Sequence, residues 1–176
     1  MATSLVEILL KCLLNPFDGD MMNTSFQPKP KEKLSLWGYT LLLWTLLPFA
    51  FLHFCYQYLA KKSVTPKARI QRFGLRLSTA SAGGLLIHCV SVGEVVADAN
   101  VIKAIRTIQP DLPITLTTTT VTGAKQANSL FNDSITHCYL PLDTGWMMRR
   151  LLKRAAPSQV LITEVELWPN LIDQCW

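Results

Sequence analysis

From Gly84 onward, short apolar runs alternate with segments that carry apolar residues at helical spacing, and few folds accommodate that alternation. Leu85-Leu86-Ile87-His88-Cys89-Val90 reads as a buried strand, and Glu94 to Ile108 as the helix that follows it. Pro110 and Pro113 punctuate the turn into Ile114–Thr119, a β-branched strand. Thr122 to Phe131 reads as a helix capped by Thr122, Thr136 to Leu140 as a strand, Asp143 to Ala155 as a helix and Val160 to Val165 as a strand. Strands separated by helices of this length require crossover connections, which leave the strands parallel. The expected fold class is therefore α/β, with a Rossmann-like parallel sheet occupying 84–176. Trp176 falls early in the helix expected after the fourth strand, so this domain is expected to be truncated at its carboxyl end.

In open sheets of this kind, ligands bind outside the carboxyl ends of the strands. Two acidic turns fall there, Ser91-Val92-Gly93-Glu94 and Glu164-Val165-Glu166-Leu167-Trp168-Pro169-Asn170. Gly93 permits a tight turn from strand to helix. Glu94 then stands in the first helical turn, where the positive dipole end favours an ionised carboxylate suited to accepting a proton. The plainer reading makes Glu94 an ordinary helix-start residue. Glu164 and Glu166 alternate across a strand end, so they point to opposite faces. Charge inside an apolar run is costly to bury unpaired, and Arg149, Arg150 or Arg154 would supply structural partners. Thr117 to Gly123, with Thr118, Thr119, Thr122 and Gly123, places hydroxyls and N–H groups at a further strand-to-helix turn that could hold a phosphate or sugar oxygen. Asp143 reads as a helix cap, and His88 and His137 read as core residues rather than ligands.

The amino-terminal third has another character. Leu34 to Ala60 carries no Asp, Glu, Lys or Arg and is dense in Leu, Trp, Phe and Tyr. A hydrocarbon core needs roughly 20 apolar residues in a helix, so 34–60 is expected to anchor the chain in a membrane, with Pro48 tolerated inside it. Trp37, Tyr39 and Trp44 toward one end, with Tyr56 and Tyr58 toward the other, match interfacial belts. Lys61, Lys62, Lys67, Arg69, Arg72 and Arg76 crowd the following segment, 61–83, and no acidic residue occurs between Lys33 and Gly93. That one-sign run points to anionic lipid and puts the carboxyl-terminal side in the cytoplasm. Before the anchor, 1–33 reads as an extension, with a short helix over Ser4–Leu14 and a linker over Asn15–Lys33. No nucleic-acid motif with interleaved aromatics occurs. The five cysteines form no CxxC pair and the three histidines have no ligand spacing, so a disulfide framework and a metal site are not expected.

Taken in order, several motifs resemble the N-terminal half of the Kdo (3-deoxy-D-manno-octulosonic acid) transferases. They are His88-Cys89-Val90-Ser91-Val92-Gly93-Glu94, Pro110-Asp111-Leu112-Pro113-Ile114-Thr115, Thr117 to Gly123, His137-Cys138-Tyr139-Leu140-Pro141 and Glu164 to Leu171. The resemblance covers about Lys67 to the end. It implies a GT-B fold of two Rossmann-like halves, an N-terminal anchor and a place on the cytoplasmic face of the bacterial inner membrane. It also implies inverting transfer of Kdo from CMP-Kdo to a lipid A precursor in lipopolysaccharide biosynthesis, without a tightly bound cofactor. By the same resemblance Glu94 is the catalytic base and Glu164 a transition-state stabiliser, while Ser91, Gly93, Thr118, Thr119, Thr122 and Gly123 support the acceptor side. Val165 replaces the motif's Thr, and Val121 stands where Pro is usual. The CMP-binding half is missing, so the 176 residues alone are expected to be inactive. The competing expectation, from a different class, is a non-catalytic membrane-anchored Rossmann-like module that binds a partner or anionic lipid.

Overall fold

The computed structural model describes residues 30–60, 66–163 and 167–175. In chain order they form α1 (Pro30–Ala60), α2 (Pro66–Arg72), β1 (Leu85–Cys89), α3 (Val92–Ile108), β2 (Ile114–Thr118), α4 (Val121–Phe131), β3 (Thr136–Tyr139), α5 (Gly145–Ala155), β4 (Gln159–Ile162) and α6 (Pro169–Gln174). The four strands make one sheet in the order β3-β2-β1-β4, with every neighbouring pair parallel. This is the expected α/β, Rossmann-like sheet. From β1 to α5 each strand and helix lies within a few residues of its sequence expectation, whereas α2 was not expected. The Ser4–Leu14 helix and most of the Asn15–Lys33 linker lie outside the described residues.

Side chains alternate across the sheet and fill two cores. On one face Leu85, Ile87, Cys89 and Leu116 meet Val95, Ile102 and Ile105 of α3 and Phe131 of α4. On the other, Leu86 and Cys138 meet Met148 and Leu151 of α5 and Leu171 of α6. Helices on both faces explain why the strands read as unbroken apolar runs rather than alternating ones. Gly84 is required at the sheet's amino end, because a Cβ there would run into the Pro113 carbonyl that accepts the Leu85 N–H at 2.8 Å.

Two buried histidines sit in the strands. His88 Nδ1 pairs with Thr117 Oγ1 at 2.9 Å, and His137 Nε2 with Thr118 Oγ1 at 2.9 Å. Burial pushes both pKa values down to about 4; the Glu94 charge partly opposes this at His88, and Lys67 adds to it at His137. A histidine held neutral in the fold but titrating near 6.5 when unfolded takes up protons preferentially in the unfolded state between those values. Its contribution is fully present above about pH 6.5 and is lost as the pH falls to about 4. Each histidine is expected to remove on the order of 3 kcal/mol across that window. Urea titration of the detergent-solubilised chain at pH 7, 5.5 and 4.5 checks this; a midpoint that does not move would show that both imidazoles charge freely in the fold.

The 61–83 segment contributes more than a basic flank. Within α2, Ala68 and Gln71 are buried, and Gln71 Oε1 accepts the Tyr139 N–H at the outer edge of β3 at 2.9 Å. Gln71 Nε2 donates to the Arg76 carbonyl and to Ser78 Oγ, each at 3.2 Å. One glutamine thus blunts an edge strand that would otherwise offer unpaired backbone.

The expectation for 34–60 is met only in part. The helix is present and longer, described over Pro30–Ala60. Yet among the described residues no helix is long and apolar enough to cross a membrane. Gly38, Tyr39, Thr40, Thr45 and Pro48 dilute the run, and two of them face the α/β domain. Tyr39 OH donates to Asp143 Oδ2 at 3.0 Å, and Thr40 Oγ1 donates to Asn170 Oδ1 at 3.3 Å. Burial, and then the Asp143 carboxylate, push the Tyr39 hydroxyl up to about 12. Among the described side chains of the helix, Leu34, Trp37, Leu41, Trp44, Phe49 and Leu52 are more than half exposed.

Candidate active site

Strand order sets the location. The chain steps outward from β1 to β2 to β3, then returns so that β4 lies on the other side of β1. The helix after β1, α3, packs on one face of the sheet and the helix after β4, α6, on the other, which opens a crevice at the carboxyl ends of the two strands. The Ser91–Glu94 turn follows β1 directly, and the Glu164–Asn170 segment follows β4.

Ser91 is the N-cap of α3 in extended conformation, and its side chain does not bond the helix N–H groups. Glu94 occupies the third helical position and reaches back instead. Its Oε2 accepts the Val90 N–H at 2.6 Å and its Oε1 accepts Ser91 Oγ–H at 3.0 Å. This is one half of a capping box, displaced by a residue. The side chain is 7% exposed, so the carboxylate is fixed rather than free to rotate in solvent. Each oxygen keeps a second lone pair, so the group can still accept a proton from a molecule entering the crevice. Gly93 does not adopt the left-handed region, and a Cβ there would meet only Ser91 Oγ at 3.8 Å. The turn makes no use of the freedom that glycine permits; the position faces open space.

The threonine turn packs against this one. The Val90 carbonyl accepts Thr119 Oγ1 at 3.0 Å, Thr120 Oγ1 at 3.2 Å and the Thr119 N–H at 3.3 Å. Thr120, not Thr122, caps α4, accepting the Gly123 N–H at 3.0 Å. Thr122 is solvent-exposed. A Cβ on Gly123 would stand 2.8 Å from Thr120 Oγ1 and 3.4 Å from the Ser91 carbonyl carbon, so that glycine lets the two turns touch. The hydroxyls of Thr118, Thr119 and Thr120 are all bonded within the protein. Their observed work is to join the turns. Arg72, unmarked in the sequence among its basic neighbours, extends a guanidinium to the Thr119 carbonyl. Its Nε is buried with no partner among the described residues, and burial lowers its pKa.

Glu164, with Val165 and Glu166, lies outside the described residues, and its flanks are placed on either side. Thr163 continues β4, its N–H donating to the His88 carbonyl at 3.2 Å. Trp168 lies edge-on to His88, with ring centroids 5.2 Å apart. Beyond it, Asp143 binds the head of α6, its Oδ1 and Oδ2 accepting the N–H groups of Leu171 and Asn170 at 3.0 and 3.1 Å. Asp143 was expected to cap α5, the helix it precedes; it caps α6 instead, because the carboxylate points across the sheet edge. Among the described residues no cluster of His, Cys, Asp and Glu could hold a metal ion.

Residues 67–176 match the family model described as 3-deoxy-D-manno-octulosonic-acid transferase (kdotransferase). A 3-deoxy-D-manno-octulosonic acid transferase from Haemophilus influenzae is 42% identical over 91 residues, covering 52% of this chain and 21% of that protein. A probable mitochondrial 3-deoxy-D-manno-octulosonic acid transferase from Arabidopsis thaliana is 37% identical over 103 residues, covering 58% and 23%. The Bordetella pertussis transferase of the same name is 36% identical over 110 residues, covering 60% and 25%. The matched stretch is thus about a fifth to a quarter of each relative's length. No solved structure matches the chain. Because the match takes in the whole sheet and both acidic turns, the chain belongs to the 3-deoxy-D-manno-octulosonic-acid transferase family.

Proposed function

We propose that this chain is the acceptor-side half of a GT-B glycosyltransferase that moves Kdo from CMP-Kdo to a lipid A precursor. The observation that carries the reading is Glu94, a carboxylate fixed by Val90 and Ser91 at the crevice beside β1, in a chain of this family. Glu94 takes the proton from an acceptor sugar hydroxyl as that oxygen bonds to the anomeric carbon of Kdo. The bond from that carbon to CMP breaks on the opposite face, and CMP leaves with the electron pair, so the anomeric centre inverts. Glu164 stabilises charge in the transition state. The CMP-binding half and a second stabilising group belong to a further domain. No tightly bound cofactor takes part.

The open apolar surface of α1 and the cationic residues after it support a location at the cytoplasmic face of the bacterial inner membrane, in contact with anionic lipid. The test is transfer by the full-length protein in vesicles containing anionic lipid. Release of CMP and a one-Kdo mass gain on the acceptor are expected, with the protein co-sedimenting with the anionic vesicles. A folded protein that leaves the acceptor unmodified overturns the assignment; failure to co-sediment with anionic vesicles overturns the membrane location alone. A second reading makes this a non-catalytic module, with Glu94 only a capping residue. It is favoured by both carboxylate oxygens already having donors.

A further inference from the structure

A second carboxylate lies one helical turn beyond Glu94. Asp98 is 6% exposed, on the face of α3 that otherwise buries Val95, Ala99 and Ile102. Aspartate is a poor helix former, and a buried charge is costly unless hydrogen-bonded, so packing alone does not account for it there. Its Oδ2 accepts Cys89 Sγ–H at 3.1 Å and also bonds Thr163 Oγ1, whose hydroxyl lies 3.1 Å from the His88 carbonyl as well. One oxygen thereby ties α3, which carries Glu94, to the last residue of β1 and to the residue immediately before Glu164. Burial, and then the Asp98 charge, raise the Cys89 pKa, so the thiol remains a donor.

The geometry points to Asp98 as a positioning residue that holds α3, and Glu94 with it, in register with Thr163 at the carboxyl end of β4 across the β1–β4 crevice. This rests on the transferase reading above. Asp98 touches no reacting atom; it acts through Thr163 and α3. Misplacing a catalytic group by an ångström costs as much as about 10²-fold in rate, which is the scale expected when this tie is cut.

The experiment uses the full-length protein with Asp98→Ala, Asp98→Asn and Thr163→Val. Asparagine keeps a carbonyl oxygen that can accept from both donors, whereas alanine keeps none. Asp98→Ala and Thr163→Val are each expected to lower kcat by about 10- to 100-fold with the acceptor KM within about twofold, while Asp98→Asn stays within about threefold of wild type. The double variant should be no worse than either single one, because the two changes remove one interaction. Hydrogen exchange over 159–170 supplies a readout independent of turnover: protection should fall in Asp98→Ala and Thr163→Val and hold in Asp98→Asn. A wild type that transfers no Kdo defeats the transferase reading, and exchange still decides whether Asp98 holds the turn. Unchanged kcat in Asp98→Ala, or in Thr163→Val if the alanine variant does not fold, overturns the positioning role. Loss in Asp98→Asn equal to that in Asp98→Ala overturns it too.

Discussion

Glu94→Gln in the full-length protein is expected to lower Kdo transfer by on the order of 10²- to 10⁴-fold, the usual contribution of a positioned general base. The substitution separates the two roles open to this residue. As a capping group, Glu94 accepts the Val90 N–H at 2.6 Å and the Ser91 hydroxyl at 3.0 Å. Glutamine can keep both contacts, with its oxygen toward Val90 and its amide nitrogen donating to a lone pair of Ser91 Oγ. The stability change should therefore stay within about 1 kcal/mol. What glutamine cannot do is take up a proton. Acceptor affinity should be little altered, so the effect belongs in kcat rather than KM. The measurement is initial-rate transfer from CMP-Kdo with thermal melting in parallel. Near-normal turnover by a folded Glu94→Gln protein would leave Glu94 a capping residue.

How much of this was legible beforehand depends on the range of the interaction involved. Apolar runs such as Leu85–Cys89 and Ile114–Thr118 identify themselves, because a strand covered on both faces has no polar positions to break the run. The alternation with helices carries the parallel pairing as well. Strand order is different: whether β4 lies beside β1 or β3 leaves no local mark, yet it creates the crevice between the acidic turns. Apart from Thr122, the residues whose work was not legible have distant partners. Thr122 resembled a cap because it begins an apolar period, but the Gly123 N–H goes to Thr120. Arg72 looked like one cation of a lipid-facing run, although its guanidinium ends on Thr119. Nothing local marks Asp98, because its partner Thr163 lies in another strand's extension. For α1, composition registered length and missing charge, but not that Tyr39 and Thr40 are directed at the domain.

Asp143→Ala is expected to have the largest effect on stability, about 3–5 kcal/mol, because one buried carboxylate accepts from three donors. Two are backbone N–H groups of Asn170 and Leu171, at the start of a helix where no intrahelical acceptor exists for them. The third is the Tyr39 hydroxyl of α1 at 3.0 Å. Alanine leaves all three facing a space without an acceptor, and Asn170 and Leu171 are themselves buried, so water cannot readily substitute. At this chain length a loss of that size lowers the melting temperature by roughly 10 °C. Asp143→Asn should cost less, since its carbonyl still accepts while one N–H meets an amide nitrogen. Tyr39→Phe should cost about 1 kcal/mol, because it removes a single hydroxyl bond from the side exposed to solvent. The order alanine, asparagine, then Tyr39→Phe is the diagnostic result, read by thermal melting in one detergent. If Tyr39→Phe proves as damaging as Asp143→Ala, then the contact with α1, rather than the capping of α6, holds the second acidic turn in place.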